Sequence, residues 1–161
     1  MLTLLMPCSL FGCKKTSDFA RYDTSEIVAV SISCGSMDRR NSYSFGIYLD
    51  DGAWLFDADC FTSDHETETV FRGRGVAGED VEELLRILKE NDSITYAKNY
   101  KKPGKSIFNV ADGDSYSFCL TFSDGNQYVT GDRQNDLEEF FYRLVKKYDE
   151  AISEITTEKE N

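Results

Sequence analysis

The stretch YSFGIYLDDGAWLFDADC, residues 43–60, decides the fold. Apolar and polar side chains alternate on both sides of Asp51-Gly52, a pattern typical of two β-strands joined by a tight turn. Asp-Gly favours a two-residue type I′ turn, because both central residues of that turn need positive φ. Counting outward from the turn pairs residues whose side chains share a face: Asp50 with Ala53, Leu49 with Trp54, Ile47 with Phe56, Phe45 with Ala58 and Tyr43 with Cys60. We therefore predict a hairpin with one apolar face, on which Trp54 lies under the covering helices.

A second stretch, YSFCLTFSDGNQYVTGD at residues 116–132, aligns without gaps on residues 43–59. Asp124-Gly125 falls at the place of Asp51-Gly52, so the same two-residue turn is predicted. Counting outward then gives three pairs: Phe122 with Gln127, Leu120 with Val129 and Phe118 with Gly131. An old duplication would explain the likeness. We favour the other explanation, that a shared turn and shared alternation make any two such hairpins similar.

Further alternation predicts the other strands of the sheet. A strand at residues 27–34 turns Val28, Val30, Ile32 and Cys34 to one side, and three shorter strands are predicted at residues 67–72, 93–97 and 107–110. The first of these four strands precedes residues 43–60 in the chain, and the other three follow them. The strand at 27–34, the first hairpin and the strand at 67–72 form a predicted four-stranded antiparallel meander.

Apolar residues at helical spacing predict two helices, at residues 79–91 and 136–149. Asn135 is the predicted N-cap of the second helix, with Glu138 completing a capping box. Strands with one apolar face and helices with one apolar stripe bury each other best as two layers. The predicted fold class is therefore α+β: an antiparallel β-sheet, made of the meander plus the second hairpin, with two helices packed on one face.

Length and charge limit the functions of the chain. Its 161 residues suffice for one domain with a real core. Lys plus Arg number 18 against 29 for Asp plus Glu, a net charge of −11. Such a field repels phosphate backbones, so nucleic acid is not an expected partner. Beyond the N-terminus, no stretch approaches the roughly 20 apolar residues that cross a bilayer.

The N-terminus, MLTLLMPCSLFGCKK, is an apolar run that ends in Leu10-Phe11-Gly12-Cys13. These four residues resemble the lipobox of bacterial lipoproteins, and the chain resembles small uncharacterised lipoproteins of Gram-positive bacteria. The resemblance implies that Cys13 carries the lipid and that the protein faces the outside of the cell membrane, held by that anchor alone. The alternative is a cytoplasmic interaction domain with a wrongly assigned start, whose N-terminus is an ordinary strand or buried segment.

This interpretation divides the chain into four parts. They are a signal remnant at residues 1–12, a polar tether at 13–25, a single α+β domain at 26–149 and a flexible tail at 150–161. With Cys8 in the signal and Cys13 lipidated, three cysteines stay in the domain: Cys34, Cys60 and Cys119. The first two point to the predicted core, where a disulfide between them stays open as an alternative to free thiols.

Acidic residues near the lone histidine are the candidate for catalysis. Asp57, Asp59 and His65 suggest a hydrolase or a metal-dependent enzyme, which we keep as an alternative function. The spacing fits neither an EF-hand nor a catalytic triad, and one histidine cannot make a zinc site. We therefore predict no metal site and no cofactor, and we expect Asp57 and Asp59 to lie side by side near solvent.

Two surfaces are candidates for binding a partner. The first is a basic stretch at residues 96–105, which gathers four lysines and two tyrosines in an acidic chain: Tyr96, Lys98, Tyr100, Lys101, Lys102 and Lys105. The second is the uncovered sheet face, where Tyr48, Leu55 and Tyr128 are expected among small polar residues. The predicted function is a non-enzymatic surface lipoprotein domain that binds an unknown protein or a cell-envelope component.

Overall fold

A computed structural model describes residues 22–61, 68–101 and 114–159, with side chains described as far as residue 150. The described residues form six strands and three α-helices. The strands are β1 (Ile27–Gly35), β2 (Tyr43–Asp50), β3 (Ala53–Phe61), β4 (Glu68–Gly75), β5 (Ser115–Phe122) and β6 (Gln127–Thr130). The helices are α1 (Gly78–Glu90), α2 (Ser93–Asn99) and α3 (Asn135–Lys159). This content confirms the predicted α+β class.

The six strands form one antiparallel sheet in the order β4-β3-β2-β1-β5-β6. The meander from β1 to β4 is confirmed, and the second hairpin joins the sheet where β5 pairs with β1. Cys34 of β1 is therefore the neighbour of both Tyr43 and Tyr116, the two tyrosines that open the aligned stretches. The predicted strand at residues 107–110 lies outside the described residues.

The first hairpin has the predicted register. Leu49 pairs with Trp54 and Tyr43 with Cys60, and both turn residues have positive φ, 46° at Asp51 and 81° at Gly52. The side chains of β2 and β3 alternate between buried and accessible along their length, as the apolar pattern predicts. Trp54 is half-buried against the core on the helix-covered face.

The second hairpin departs from its predicted register by one residue. Leu120 pairs with Tyr128 instead of Val129, and Phe118 with Thr130 instead of Gly131. The Gly125 amide donates to the carbonyl of Phe122 at 2.9 Å, and Gly125 has a φ of 84°. A type I turn followed by a left-handed glycine makes a three-residue loop, one residue longer than the predicted turn. The extra residue turns Tyr128 to the core face and Val129 to solvent.

Two smaller predictions are also wrong. In β1, Ile27 is buried in place of Val28, because a bulge between Ile27 and Ala29 shifts the pairing with β5. Residues 93–97, predicted as a strand, lie in helix α2, where Ser93 and Ala97 are buried one helical turn apart. Their spacing of four residues fits one face of a helix, so tertiary packing overrides the alternation of apolar residues in this short segment.

The helices bury one face of the sheet. Phe141 of α3 stacks on Phe45 and Phe56, with ring centroids 5.4 and 5.9 Å apart. Between helices, the Lys147 ammonium of α3 lies 2.9 Å from the carboxylate of Asp80 on α1. Three helices cover this face instead of the predicted two, and α3 continues past the predicted end at residue 149. No helix in the described ranges is long and apolar enough to span a membrane.

Helix α3 begins at Asn135 instead of after it, because the Glu138 amide donates to the Gln134 carbonyl at 2.9 Å, so Asn135 is not the N-cap. Both carboxylate oxygens of Glu138 accept hydrogen bonds from the Arg133 guanidinium, each at 2.8 Å. The glutamate therefore reaches back beyond Asn135 to a side chain that precedes the helix. This pairing contributes to the site described below.

The two ends of the sheet differ in the residues that they bring together. At the turn end lie Tyr22 and the two Asp-Gly turns, because β1 begins where β2 and β5 finish. At the far end, Cys34 pairs with Tyr43 and Tyr116. The chain enters the described domain at the turn end.

Candidate functional site

A groove of about 1020 Å³ lies at the far end of the sheet, between α3 and the ends of the strands. Strand residues that line it include Cys34, Tyr43, Phe61 and Tyr116, and residues of α3 include Glu138, Glu139, Tyr142, Lys146 and Asp149. The groove thus combines aromatic rings with charges of both signs. This composition suits the binding of a polar partner segment.

The groove exists because α1 covers only one flank of α3. That flank carries Arg143, whose guanidinium lies 2.8 Å from Glu83 of α1, and Lys147, which pairs with Asp80. Tyr142 lies on another side of α3 and contacts Tyr43 edge to face, with ring centroids 6.0 Å apart. No residue of α1 lines the groove on this side of α3, where the strand ends and the short helical turn Arg39–Asn41 form its wall.

Arg133 is held tightly inside the groove. Its two hydrogen bonds to Glu138 form a bidentate pair, and its guanidinium carbon lies 5.7 Å from the centre of the Tyr116 ring. The Tyr43 hydroxyl donates to the same carboxylate at 3.0 Å. The pKa of Arg133 is raised, chiefly by the hydrogen bond to Glu138. One carboxylate and two tyrosines thus hold this guanidinium in place.

Two tyrosine hydroxyls and one thiol of the groove have raised pKa values. Burial and the nearby Glu138 raise the pKa of Tyr43 well above its usual range. Burial also raises the pKa of Tyr142 to about 12 and raises that of the Cys34 thiol. At neutral pH these groups are therefore protonated, and they can bind through ring faces and hydrogen bonds.

The predicted basic stretch is divided between a helix and residues that the structure does not describe. Lys98 lies in α2 and Lys101 follows it, both exposed, whereas Lys102 and Lys105 lie outside the described residues. Tyr100 packs against Gly131, where an added Cβ would lie 2.8 Å from the tyrosine hydroxyl. Tyr100 thus makes its contact within the domain. That this surface binds a partner stays a prediction.

Tyr96, next to these lysines, is also engaged within the domain. Its hydroxyl donates to the carboxylate of Asp132, and this hydrogen bond raises the pKa of Tyr96 to about 12. Its ring lies 6.3 Å from that of Tyr100, centroid to centroid. The two rings therefore join α2 to the end of β6.

The uncovered sheet face carries only part of the predicted aromatic surface. Tyr48 and Leu55 are half-buried there as cross-strand partners. Tyr128 was expected beside them, but the shifted register places it on the core face, where its ring lies 5.4 Å from that of Phe122. Small polar residues such as Ser31 and Ser44 and the exposed side chains of Val70 and Val129 also lie on this face.

Asp57 and Asp59 lie on this uncovered face, as expected, and the carboxylate of each one contacts the neighbouring strand β4. Asp57 accepts the backbone N–H of Gly73 at 2.7 Å, where φ of +59° lets β4 bulge against β3. Asp59 pairs with Arg72 at 3.1 Å. His65, the third member of the alternative catalytic site, lies outside the described residues. Among the residues that the structure does describe, no cluster of His, Cys, Asp and Glu could hold a metal ion.

The three domain cysteines carry free thiols. Cys34 and Cys60 are both buried, as predicted, but Tyr43 of β2 stands between them as the partner of each. Two strand spacings amount to about 10 Å, which exceeds the reach of a disulfide. Burial raises the pKa of the Cys60 thiol to about 11. Cys13 lies outside the described residues, so its lipidation stays a prediction.

The groove was missed because its residues are scattered along the chain. Cys34, Tyr43, Tyr116, Arg133 and Tyr142 meet only through the pairing of β1 with both β2 and β5. A weak signal was present, since Tyr43 and Tyr116 both open a Tyr-Ser-Phe motif. Comparisons with protein-family models, with curated proteins and with solved structures find no match for this chain.

Proposed function

We propose that this chain is a non-enzymatic binding domain, displayed on the outside of a bacterial membrane by a lipid on Cys13, whose partner is a protein or a cell-envelope component. The groove is the surface that we assign to this partner. The observation that supports the assignment is the position of the groove, at the end of the sheet opposite to the one where the chain enters.

Tyr22 fixes the entry point of the chain. Its ring stacks on Phe122 with centroids 4.0 Å apart, and its hydroxyl donates to Asp124 at 2.5 Å. The strands run for eight or nine residues from this end to the groove, about 25–30 Å. A lipid on Cys13, joined through a tether that reaches at most about 30 Å, would hold the turn end toward the membrane. The groove would then face away from the membrane, where a partner can reach it.

The membrane anchor is tested by comparing Cys13→Ser with Cys8→Ser. Cys8 falls within the predicted signal remnant, so its substitution serves as the matched control. We expect wild type and Cys8→Ser in the membrane fraction, and Cys13→Ser outside it. Mass spectrometry should find a lipidated Cys13 as the mature N-terminus. A mature protein that still begins with Met1 would rule out the anchor.

The binding surface is tested by photo-crosslinking in bacterial cells. A benzophenone amino acid replaces Glu139 in the groove, Lys98 on α2 or Ser31 on the uncovered sheet face, three positions that are at least partly accessible. We expect a discrete crosslinked partner from the groove position and none from the other two. Crosslinking from Lys98 alone would move the binding surface to the predicted basic region, and the groove assignment would be wrong.

A further inference from the structure

We propose that the groove recognises a cationic segment of its partner, in which an arginine side chain lies on the Tyr142 ring between the carboxylates of α3. The inference deepens the proposed function and rests on it for the identity of the binding surface. Two observations carry it: the way in which Arg133 is held, and the balance of charge along the groove.

Arg133 shows how this groove holds a guanidinium. A bidentate carboxylate and a tyrosine face surround it, and more than half of its side chain stays accessible, with a relative exposure of 52%. A planar guanidinium suits such a place better than an ammonium, because it hydrogen-bonds in a fork and stacks on aromatic rings. The same two kinds of group recur further along α3.

Tyr142 lies at the centre of a second position in the groove that could hold a guanidinium. Glu139 lies one helical turn before it on α3 and Asp149 two turns after it, and all three line the groove. The Tyr142 ring is half-buried, and it lies nearly perpendicular to the rings of Tyr43 and Phe45, with centroids 6.0 and 5.1 Å away. An arginine that covers the accessible part of this ring therefore has the Glu139 carboxylate one turn away, and Asp149 adds a negative charge about 10 Å along the helix.

The charge of the groove favours a cation. Four basic residues line it, and each of them already has a carboxylate partner: Arg40 with Asp38, Arg133 with Glu138, Arg143 with Glu83 and Lys146 with Glu150. Five carboxylates line the same groove, Asp114, Glu138, Glu139, Asp149 and Glu150. Carboxylates therefore outnumber cations at the site by one, with Glu138 and Glu150 already paired, and the whole chain carries a charge of −11. Both features attract a positively charged segment and disfavour an anionic one.

The test is a fluorescence anisotropy titration with labelled octapeptides of alternating glycine and one charged residue. The folded chain is titrated against the arginine, lysine and glutamate versions at about 0.15 M salt, where distant charges are screened. We expect the arginine peptide to bind more tightly than the lysine peptide, and the glutamate peptide not to bind. Equal affinities for the arginine and lysine peptides would show that stacking on the Tyr142 ring does not contribute to binding, and that part of the proposal would be wrong.

A charge-matched pair of variants separates the groove from the general field of the protein. Glu139→Gln/Asp149→Asn removes two charges from the groove, and Asp50→Asn/Glu82→Gln removes two exposed charges elsewhere. We expect the groove variant to weaken arginine-peptide binding about tenfold, as loss of close charge partners does, and the control variant to weaken it much less. Equal losses in the two variants would overturn the proposal, since only long-range attraction would then be at work.

The proposal and the proposed function can fail separately. If Glu139 crosslinks to a partner in cells while the arginine peptide does not bind, the groove is a binding surface and the ligand class is wrong. If the peptide binds through Glu139 and Asp149 but no position crosslinks to a partner, the chemistry of the groove stands and the proposed function is wrong.

Discussion

The two hairpins share an Asp-Gly dipeptide but turn in different ways. In the first hairpin, Asp51 and Gly52 both have positive φ, and β3 returns directly from a two-residue turn. In the second, only Gly125 has positive φ, and Ser123 joins a loop of three residues. The dipeptide therefore indicates a hairpin in both places but does not by itself determine the length of the loop.

The two turn aspartates also differ in the contacts that they make. Its carboxylate accepts the backbone N–H of Asn126 at 2.9 Å, the Asn126 side-chain amide at 2.8 Å and the Tyr22 hydroxyl at 2.5 Å. Asp124 thus holds a local Asx-type turn that Tyr22, from the start of the domain, reinforces. Among the described residues, the Asp51 side chain of the first hairpin makes no hydrogen bond of this kind. A distant tyrosine and a following asparagine thus accompany the change from a two-residue to a three-residue loop.

The largest expected effect concerns Phe56 and Val129, which occupy equivalent positions in the aligned sequences. Phe56 is fully buried, whereas 56% of Val129 is exposed. We expect Phe56→Ala to lower the free energy of unfolding by about 3–5 kcal/mol, because it leaves a cavity among aromatic rings. Val129→Ala should change it by no more than about 0.5 kcal/mol. Denaturant titrations of the two variants measure both values.

The same pair of variants tests the register of the second hairpin. A two-residue turn would place Val129 opposite Leu120 in the core, and Val129→Ala would then be clearly destabilising. A loss of more than about 1 kcal/mol at Val129 would therefore argue for the register that the sequence predicts. Tyr128→Ala, at the neighbouring position on the core face, should lower the free energy of unfolding clearly in the observed register, where Val129→Ala does not.

The sequence predicts the fold class, the meander and the first hairpin because each depends on local alternation. In residues 43–60 a single dipeptide and the apolar pattern agree, and no distant contact competes with them. The second hairpin could not be predicted to the residue, because its turn aspartate also contacts Tyr22, about one hundred residues away in sequence. Helix α2 was missed for a similar reason, since seven residues are too few for periodicity to outweigh tertiary packing.

The second prediction removes the distant contact. Tyr22→Ala loses the stacking on Phe122 and the hydrogen bond to Asp124, and we expect a cost of about 2 kcal/mol for this half-buried ring. The backbone amide of Gly125 should then exchange with solvent faster, while amides in β2 and β3 should keep their relative protection. Hydrogen exchange followed by NMR measures both hairpins in one sample. Equal loss of protection in the two hairpins would mean that Tyr22 acts on the whole sheet.

The residues of the groove were harder to predict from the sequence than the loop length of the second hairpin. Lys98 and Lys101 attract attention in the sequence because they are adjacent, whereas the groove residues are separated by long stretches of chain. Only the strand order brings Tyr43 and Tyr116 to opposite sides of Cys34. Residues that meet through long-range pairing leave no local pattern, and so a site built at strand ends has to be found in the structure.

The third prediction replaces each turn aspartate by glycine. Asp51 has a φ of 46°, which costs an aspartate more than a glycine, so Asp51→Gly should leave stability within about 0.5 kcal/mol of wild type or raise it slightly. Asp124→Gly loses the acceptor of three hydrogen bonds and should destabilise the domain by about 1 kcal/mol. Thermal unfolding distinguishes the two signs. Matching effects at the two positions would contradict the different turn types.

The fourth and smallest effect is a pH dependence of the second turn. The pKa of Asp124 is lowered from 3.8, first by the hydrogen bond from Tyr22 and then by the backbone N–H of Asn126. A carboxylate whose pKa is lowered on folding stabilises the fold above its unfolded pKa, and this contribution is lost as the pH falls through the folded value. Tyr22→Phe keeps the ring but removes the hydroxyl, so the pKa of Asp124 should rise toward 3.8 without reaching it, because the Asn126 bond persists. Carboxyl carbon chemical shifts followed by NMR between about pH 2 and pH 6 measure this pKa directly. An unchanged pKa in Tyr22→Phe would show that the local turn alone holds the charge of Asp124, without the hydroxyl of the distant tyrosine.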